Sequence, residues 1–185
     1  MVAVAQRRAT YDDLVRAPWP LVAEIVDGVL YTNPRPASPH ANASYLLGGD
    51  LSGPFYRGRG GPGGWILLFE PELHFGEDVV VPDLAGWRRE RMPKLPATAF
   101  FTLAPDWVCE VLSPSTEKLD RTGKMDVYAR EGVHHLWFVD PIAHTLEVHR
   151  LQNGLWLRVA TYCDEATVRA EPFDAIELDV AAFWV

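Results

Sequence analysis

The stretch CEVLSPSTEKLDRTGKMDVYAREGVHHLWFVD, from Cys109 to Asp140, constrains this chain more than any other. An apolar run, WVCEVL, leads through a Ser-Pro turn into a charged helical segment and then a second apolar run, HHLWFVD. Strand, helix and strand in that order call for a sheet with a helix laid against it. The first run carries Glu110 where a valine or isoleucine would pack better. An isolated buried carboxylate is costly, so it ends up paired, protonated or bound to a metal.

The flanking segments fill in the fold. Ser113 and Pro114 suit the N-cap and first position of a helix running to about Arg130, and Gly132 suits its C-terminal stop. Thr10 caps a short helix, TYDDLVRA, which Pro18 ends. Asp27-Gly28 and Asn153-Gly154 each join two β-rich runs, the strongest short signal for a tight hairpin. A second helix starts near Ser38 and is weakened by Gly48 and Gly49. GWILLFEPELHFG reads as one or two strands, and DVVVPDLAGWR as a strand ending in Pro82-Asp83. The sum predicts one mixed α/β domain over residues 1–185, built on a central sheet.

Composition sets the outer bounds. With 185 residues, 48% of them hydrophobic, the chain can bury a substantial core. No apolar stretch approaches the roughly 18 residues of a membrane span, and no long apolar region follows the basic residues near Met1. A cytoplasmic protein with no membrane partner is expected, with Cys109 and Cys163 reduced and buried. A net charge of −8 argues against tight non-specific binding of nucleic acid, though it leaves room for a local basic cleft.

Asp83 and Glu110 both sit on strands otherwise fit for burial. Two such carboxylates side by side repel unless a cation lies between them, and a hard divalent ion such as Mg²⁺ suits that place. The bland reading has Asp83 capping a loop and Glu110 facing solvent on an edge strand. Asp120 and Lys124, four apart, make either a surface ion pair or a device that sets the lysine over the acid pair, where it orients or deprotonates a water. Tyr128, one turn further, reads first as a residue packing on the sheet. His134-His135 and His144/His149 do not suit zinc, because each pair points to opposite faces of a strand and lacks a cysteine partner. GRGGPGG has no Lys-Ser/Thr after it and is not a P-loop.

Pro82-Asp83, a strand with Glu110 and a following lysine resemble the PD-(D/E)xK nuclease superfamily, except that Leu112 stands where its lysine would be. The longer signature EVLSPST, Asp120, Lys124, Tyr128, VDP and LEVHRL closely resembles the bacterial "putative restriction endonuclease" family within it, whose lysine is displaced onto the next helix. AEIVDGVLYTNPRPASPH resembles that family's N-terminal element. The resemblance runs from about Tyr11 to Leu151. It implies a restriction-endonuclease-like core with a central mixed sheet, flanking helices and added N- and C-terminal hairpins. It also implies hydrolysis of DNA phosphodiester bonds by a homodimer. Asp83 and Glu110 would hold Mg²⁺ or Mn²⁺, Lys124 would be the catalytic lysine, Glu24 a further acid, and His40 a contact to phosphate or metal-bound water. Basic residues are then expected beside the acids, with Arg88, Arg89, Arg91 and Lys94 first and Arg57 and Arg59 next. The competing expectation, favoured by the acidic balance, is a nuclease-fold module that binds or regulates without cutting.

Overall fold

The computed structural model describes residues 7–164 and 166–184. Helix α1 (Tyr11–Val15) opens with a reciprocal capping box between Thr10 and Asp13. Strands β1 (Val22–Val26) and β2 (Val29–Asn33) pair antiparallel across Asp27-Gly28. Both turn residues have positive φ, 53° and 76°, as a two-residue hairpin of this twist requires. Helix α2 (Ser38–Leu51) runs through both glycines and widens into a π-helical turn over Ser52–Tyr56.

Strands β3 (Trp65–Phe69), β4 (Leu73–Phe75), β5 (Asp78–Val80), β6 (Leu84–Arg88) and β7 (Trp107–Val111) follow. The segment DVVVPDLAGWR is thus two strands, not one. Pro82 has no N–H to give a ladder, and the chain changes sheets there. Strand β5 joins a four-stranded sheet, β2-β1-β5-β4, while β6 joins a six-stranded one. Asp83 lies at the crossing between them.

The larger sheet has the order β10-β9-β8-β7-β6-β3, with β8 (His135–Asp140), β9 (Thr145–Gln152) and β10 (Leu155–Cys163). Only β7 and β8 pair in parallel, so the sheet is mixed. Their crossover is helical: α3 (Glu117–Leu119), a π-helical turn (Asp120–Lys124) and α4 (Met125–Arg130). The helix starts at Glu117 rather than near Ser113, because residues 114–116 form turns in which the Ser113 carbonyl accepts from the Thr116 and Glu117 N–H groups. The second glycine hairpin, Asn153-Gly154, joins β9 and β10 as the sequence predicts.

All five residues of β7 are buried, and their alternation divides the core. Trp107, Cys109 and Val111 face Leu47 and Leu51 of α2 together with Phe173. Val108 and Leu112 face the other way, toward Trp87, Val127, Tyr128 and Phe138. Glu110 shares that second face by strand periodicity, beneath the helical crossover. Both cysteines are free, but only Cys109 is buried; Cys163, at the end of β10, is exposed. No helix among the described residues is long and apolar enough to cross a membrane.

Candidate active site

Neighbouring strand ends set three acids in a row. Phe69 of β3 pairs with Leu84 of β6, and Leu84 with Cys109 of β7. Extending that register by one residue brings Glu70, Asp83 and Glu110 abreast. The Glu70 N–H donates to the Asp83 carbonyl at 3.0 Å, and the Val111 N–H to Asp83 Oδ2 at 2.7 Å. Asp83 Oδ1 lies 3.2 Å from Nε2 of His40, which α2 delivers near its start. From the second sheet, Glu24 on β1 accepts the Val81 N–H at 2.8 Å.

Lys124 stands among the acids. Its ammonium is 2.9 Å from Glu110, 3.1 Å from Glu24 and 3.3 Å from Asp120. The Tyr128 hydroxyl donates to the other Glu110 oxygen at 2.5 Å. Glu24, Glu110, Asp120 and Lys124 are each at least 95% buried. Together with His40, Glu70, Asp83 and Thr116 they line one cavity of about 60 Å³. Among the described residues, no three His, Cys, Asp or Glu side chains converge closely enough to cage a metal ion by themselves.

Five carboxyl side chains, Glu24, Glu70, Asp83, Glu110 and Asp120, line this cavity beside a single ammonium. Burial pushes the Glu110 carboxyl well up; Lys124 opposes the rise, and Asp120, Asp83 and Glu24 add to it. Asp120 is raised for the same leading reason. Burial alone would lower the Lys124 ammonium, but Glu110, Glu24, Tyr128 and Asp120 overcome it and hold it well above the usual lysine value. Lys124 is therefore a fixed cation, and any extra proton resides on the acids. Burial, then Glu110, keeps Tyr128 a phenol and so a donor.

The family described as "Putative restriction endonuclease" (Uma2) matches residues 10–181 by its sequence profile. The chain belongs to this family. No curated protein matches it. Among solved structures, it is similar to one from Anabaena variabilis ATCC 29413 described as "a putative nuclease belonging to DUF820". That alignment has 22% identity, covers 95% of this chain and 97% of the other, and has a TM-score of 0.74. At that identity the likeness is one of fold.

In this member of the Uma2 family, the structure brings five of the candidates together: Glu24, His40, Asp83, Glu110 and Lys124 all line the cavity. Three readings sharpen or change. Asp120–Lys124 is a buried pair, with side chains 4% and 3% exposed, which selects the lysine set over the acids rather than the surface ion pair. Tyr128 packs on the sheet and also holds Glu110. The basic loop is in the wrong place: Arg88 is five residues beyond Asp83 on an extended strand, roughly 16 Å away. There Arg88 stacks on Trp65, Arg89 on Tyr56, and Arg91 pairs with Asp106. Arg57 and Arg59 precede Trp65, which pairs with Arg88, and so lie at that same far end. Glu70 is the residue that sequence reasoning missed. Its signal was an acid before a proline at the end of an apolar strand, FEP, much as Asp83 follows one.

Proposed function

We propose that this protein is a Mg²⁺- or Mn²⁺-dependent endodeoxyribonuclease that hydrolyses DNA phosphodiester bonds. The observation that carries the reading is the abreast placement of Asp83 and Glu110 over a buried ammonium, in a cavity with more acids than cations. Mg²⁺ commonly binds through one or two carboxylates, keeps waters and takes substrate phosphate oxygens. Asp83 and Glu110 fit that demand, and the absence of a three-ligand cage among the described residues does not conflict with it. Each carboxylate oxygen already in a hydrogen bond retains a further acceptor site.

The bound ion would supply Lewis-acid stabilisation and a more acidic water. The chain's own residues do the rest. Tyr128 and Lys124 fix the two oxygens of Glu110. His40 and the Val111 N–H fix those of Asp83. Glu24 and Asp120 hold Lys124 in place. With its raised pKa, Lys124 is a standing positive charge beside the phosphate rather than a base. A homodimer would let two such sites act on opposite strands. Strand β3, an open edge of the large sheet, with exposed Phe69 and nearby Tyr45, is the face it would use.

The test is nicking of supercoiled plasmid with Mg²⁺ or Mn²⁺, beside thermal melting with titrated metal. Wild type should nick, and metal should raise its melting temperature; Asp83→Asn and Glu110→Gln should show neither effect. A second reading, a binding module without cleavage, draws on the distance of the basic loop from the acids and on Lys124 already standing among them. Wild type showing neither nicking nor a metal-dependent shift would select it.

A further inference from the structure

The acid cavity adjoins a second one of about 270 Å³. Pro34, Pro36, His40 and Thr116 belong to the walls of both. Their chemistry is opposite. The second cavity has no acid in its lining; it offers the Arg35 guanidinium, the His40 ring and the hydroxyls of Ser113, Ser115 and Thr116.

Two of these groups, Arg35 and His40, lack the partners that a purely structural role would give them. Among the described residues, Arg35 takes part in no ion pair. His40 is 8% exposed and turns Nε2 to Asp83, yet its buried Nδ1 has no hydrogen-bond partner. Ser113 Oγ lies 3.0 Å from both Ser115 Oγ and Thr116 Oγ1, and hydroxyl hydrogens of this kind rotate toward an incoming oxygen. Arg35 sits between Pro34 and Pro36. A residue before proline is confined to extended backbone, so the loop fixes the backbone from which the exposed arginine side chain reaches out.

We propose that this second cavity binds the phosphate next to the scissile one on the cut strand, with Arg35 as its cation and the Ser115 hydroxyl as a donor. The proposal rests on the nuclease reading and deepens it. It assigns to Arg35 the phosphate contact that Arg88, Arg89 and Arg91, held at the far end of β6, cannot make at this site. A guanidinium pairs with a phosphodiester through charge-assisted hydrogen bonds. A neighbouring anion held there would draw the strand across the acids, where its own repulsion from Glu70 and Asp83 would otherwise push it away. A metal is the wrong occupant for a cavity of donors without carboxylates.

The experiment first maps a wild-type cut on plasmid, then places that sequence in a short duplex with one neutral methylphosphonate at each position flanking the cut in turn. Single-turnover cleavage is measured for wild type, Arg35→Ala and Arg35→Lys. Arg35→Ala should slow cleavage of native DNA roughly ten-fold, and Arg35→Lys should recover most of that loss. At one flanking position, the neutral linkage should slow wild type by a similar factor and leave Arg35→Ala nearly unchanged. Arg35 is exposed, so its variants should melt as wild type does. Additive effects at every position would overturn the subsite while leaving the nuclease reading intact. A wild type that never nicks DNA would overturn both.

Discussion

Lys124→Met tests the charge argument directly, because methionine keeps most of the side-chain length and removes only the ammonium. That ammonium is 3% exposed and lies within 3.3 Å of three carboxylates. Breaking a buried ion pair by removing one partner costs roughly 3–5 kcal/mol, since the other charge stays behind unpaired. For a chain of this length each kcal/mol moves the melting temperature by about 2–4 °C, so the loss should be roughly 6–20 °C. The pH dependence follows with a definite sign. Glu110 is held above its unfolded value by burial and by neighbouring acids, against the pull of Lys124. A raised folded-state pKa means that folding takes up a proton, so stability rises as pH falls through the folded value. Without Lys124 the opposing contribution disappears, so the penalty should be largest at alkaline pH and shrink toward pH 5. Mg²⁺ should also stabilise the variant more than wild type, because it replaces the missing charge. Urea unfolding at several pH values, with and without Mg²⁺, measures all of this. A penalty below about 1 kcal/mol at alkaline pH, or one that does not change with pH, would refute the argument.

Two further substitutions test packing, one beside the site and one at the far end of the large sheet. A Cβ at Gly123, within the π-helical turn, would lie 2.8 Å from Val26 Cγ1 and 3.3 Å from Leu119 Cδ1. Val26 is buried and stiff at χ1, so Gly123→Ala should cost about 1–3 kcal/mol in urea unfolding and reduce nicking further by lifting Lys124 away from Glu24. His135 is lowered to about 4, by burial first and then by His134, Arg88 and Arg150. Between its unfolded value and pH 4 only the unfolded chain takes the proton, so stability is lost as pH falls through that window and is unaffected above it. Discounted for partial exposure, the effect should be about 1–2 kcal/mol, and His135→Gln should flatten the stability curve there; parallel curves for variant and wild type would contradict it.

The parts of the fold that were legible rest on local chemistry. Asp-Gly and Asn-Gly mark hairpins because two consecutive positive φ angles are needed, and both hairpins formed. Glu110 announced itself because a carboxylate inside WVCEVL has no bland explanation once the strand is fully buried. What the sequence hid is long-range. Nothing local says that β5 and β6 belong to different sheets, so the crossing that carries Asp83 looked like one strand. Nothing local puts Glu24 against Lys124, since the hairpin meets the helical crossover only through tertiary packing. The basic loop misled for the same reason: a few residues after Asp83 in sequence is the far end of a strand in space.

The displaced lysine has a structural rationale in the same residues. Strand periodicity sets position 112 on the face of Glu110, and Leu112 fills it as part of the core with Val108 and Tyr128. The cation must then come from the helix above, together with Asp120 and Tyr128. In a regular α-helix of 3.6 residues per turn, each step of four overshoots a full turn by about 40°, so two such steps would carry the third side chain about 80° round, away from the first. A π-helical turn is wider, and there a step of four falls short of a full turn instead. Here the step from Asp120 to Lys124 lies within the π-helical turn, and the step from Lys124 to Tyr128 runs through α4. The two offsets oppose each other, which brings Asp120 and Tyr128 closer in azimuth than a regular helix would. Asp120 meets the ammonium from one side while Tyr128 and Lys124 divide the two oxygens of Glu110. Sequence spacing at four and four suggested a plain helical stripe; the wider turn is what converts that stripe into a convergent site.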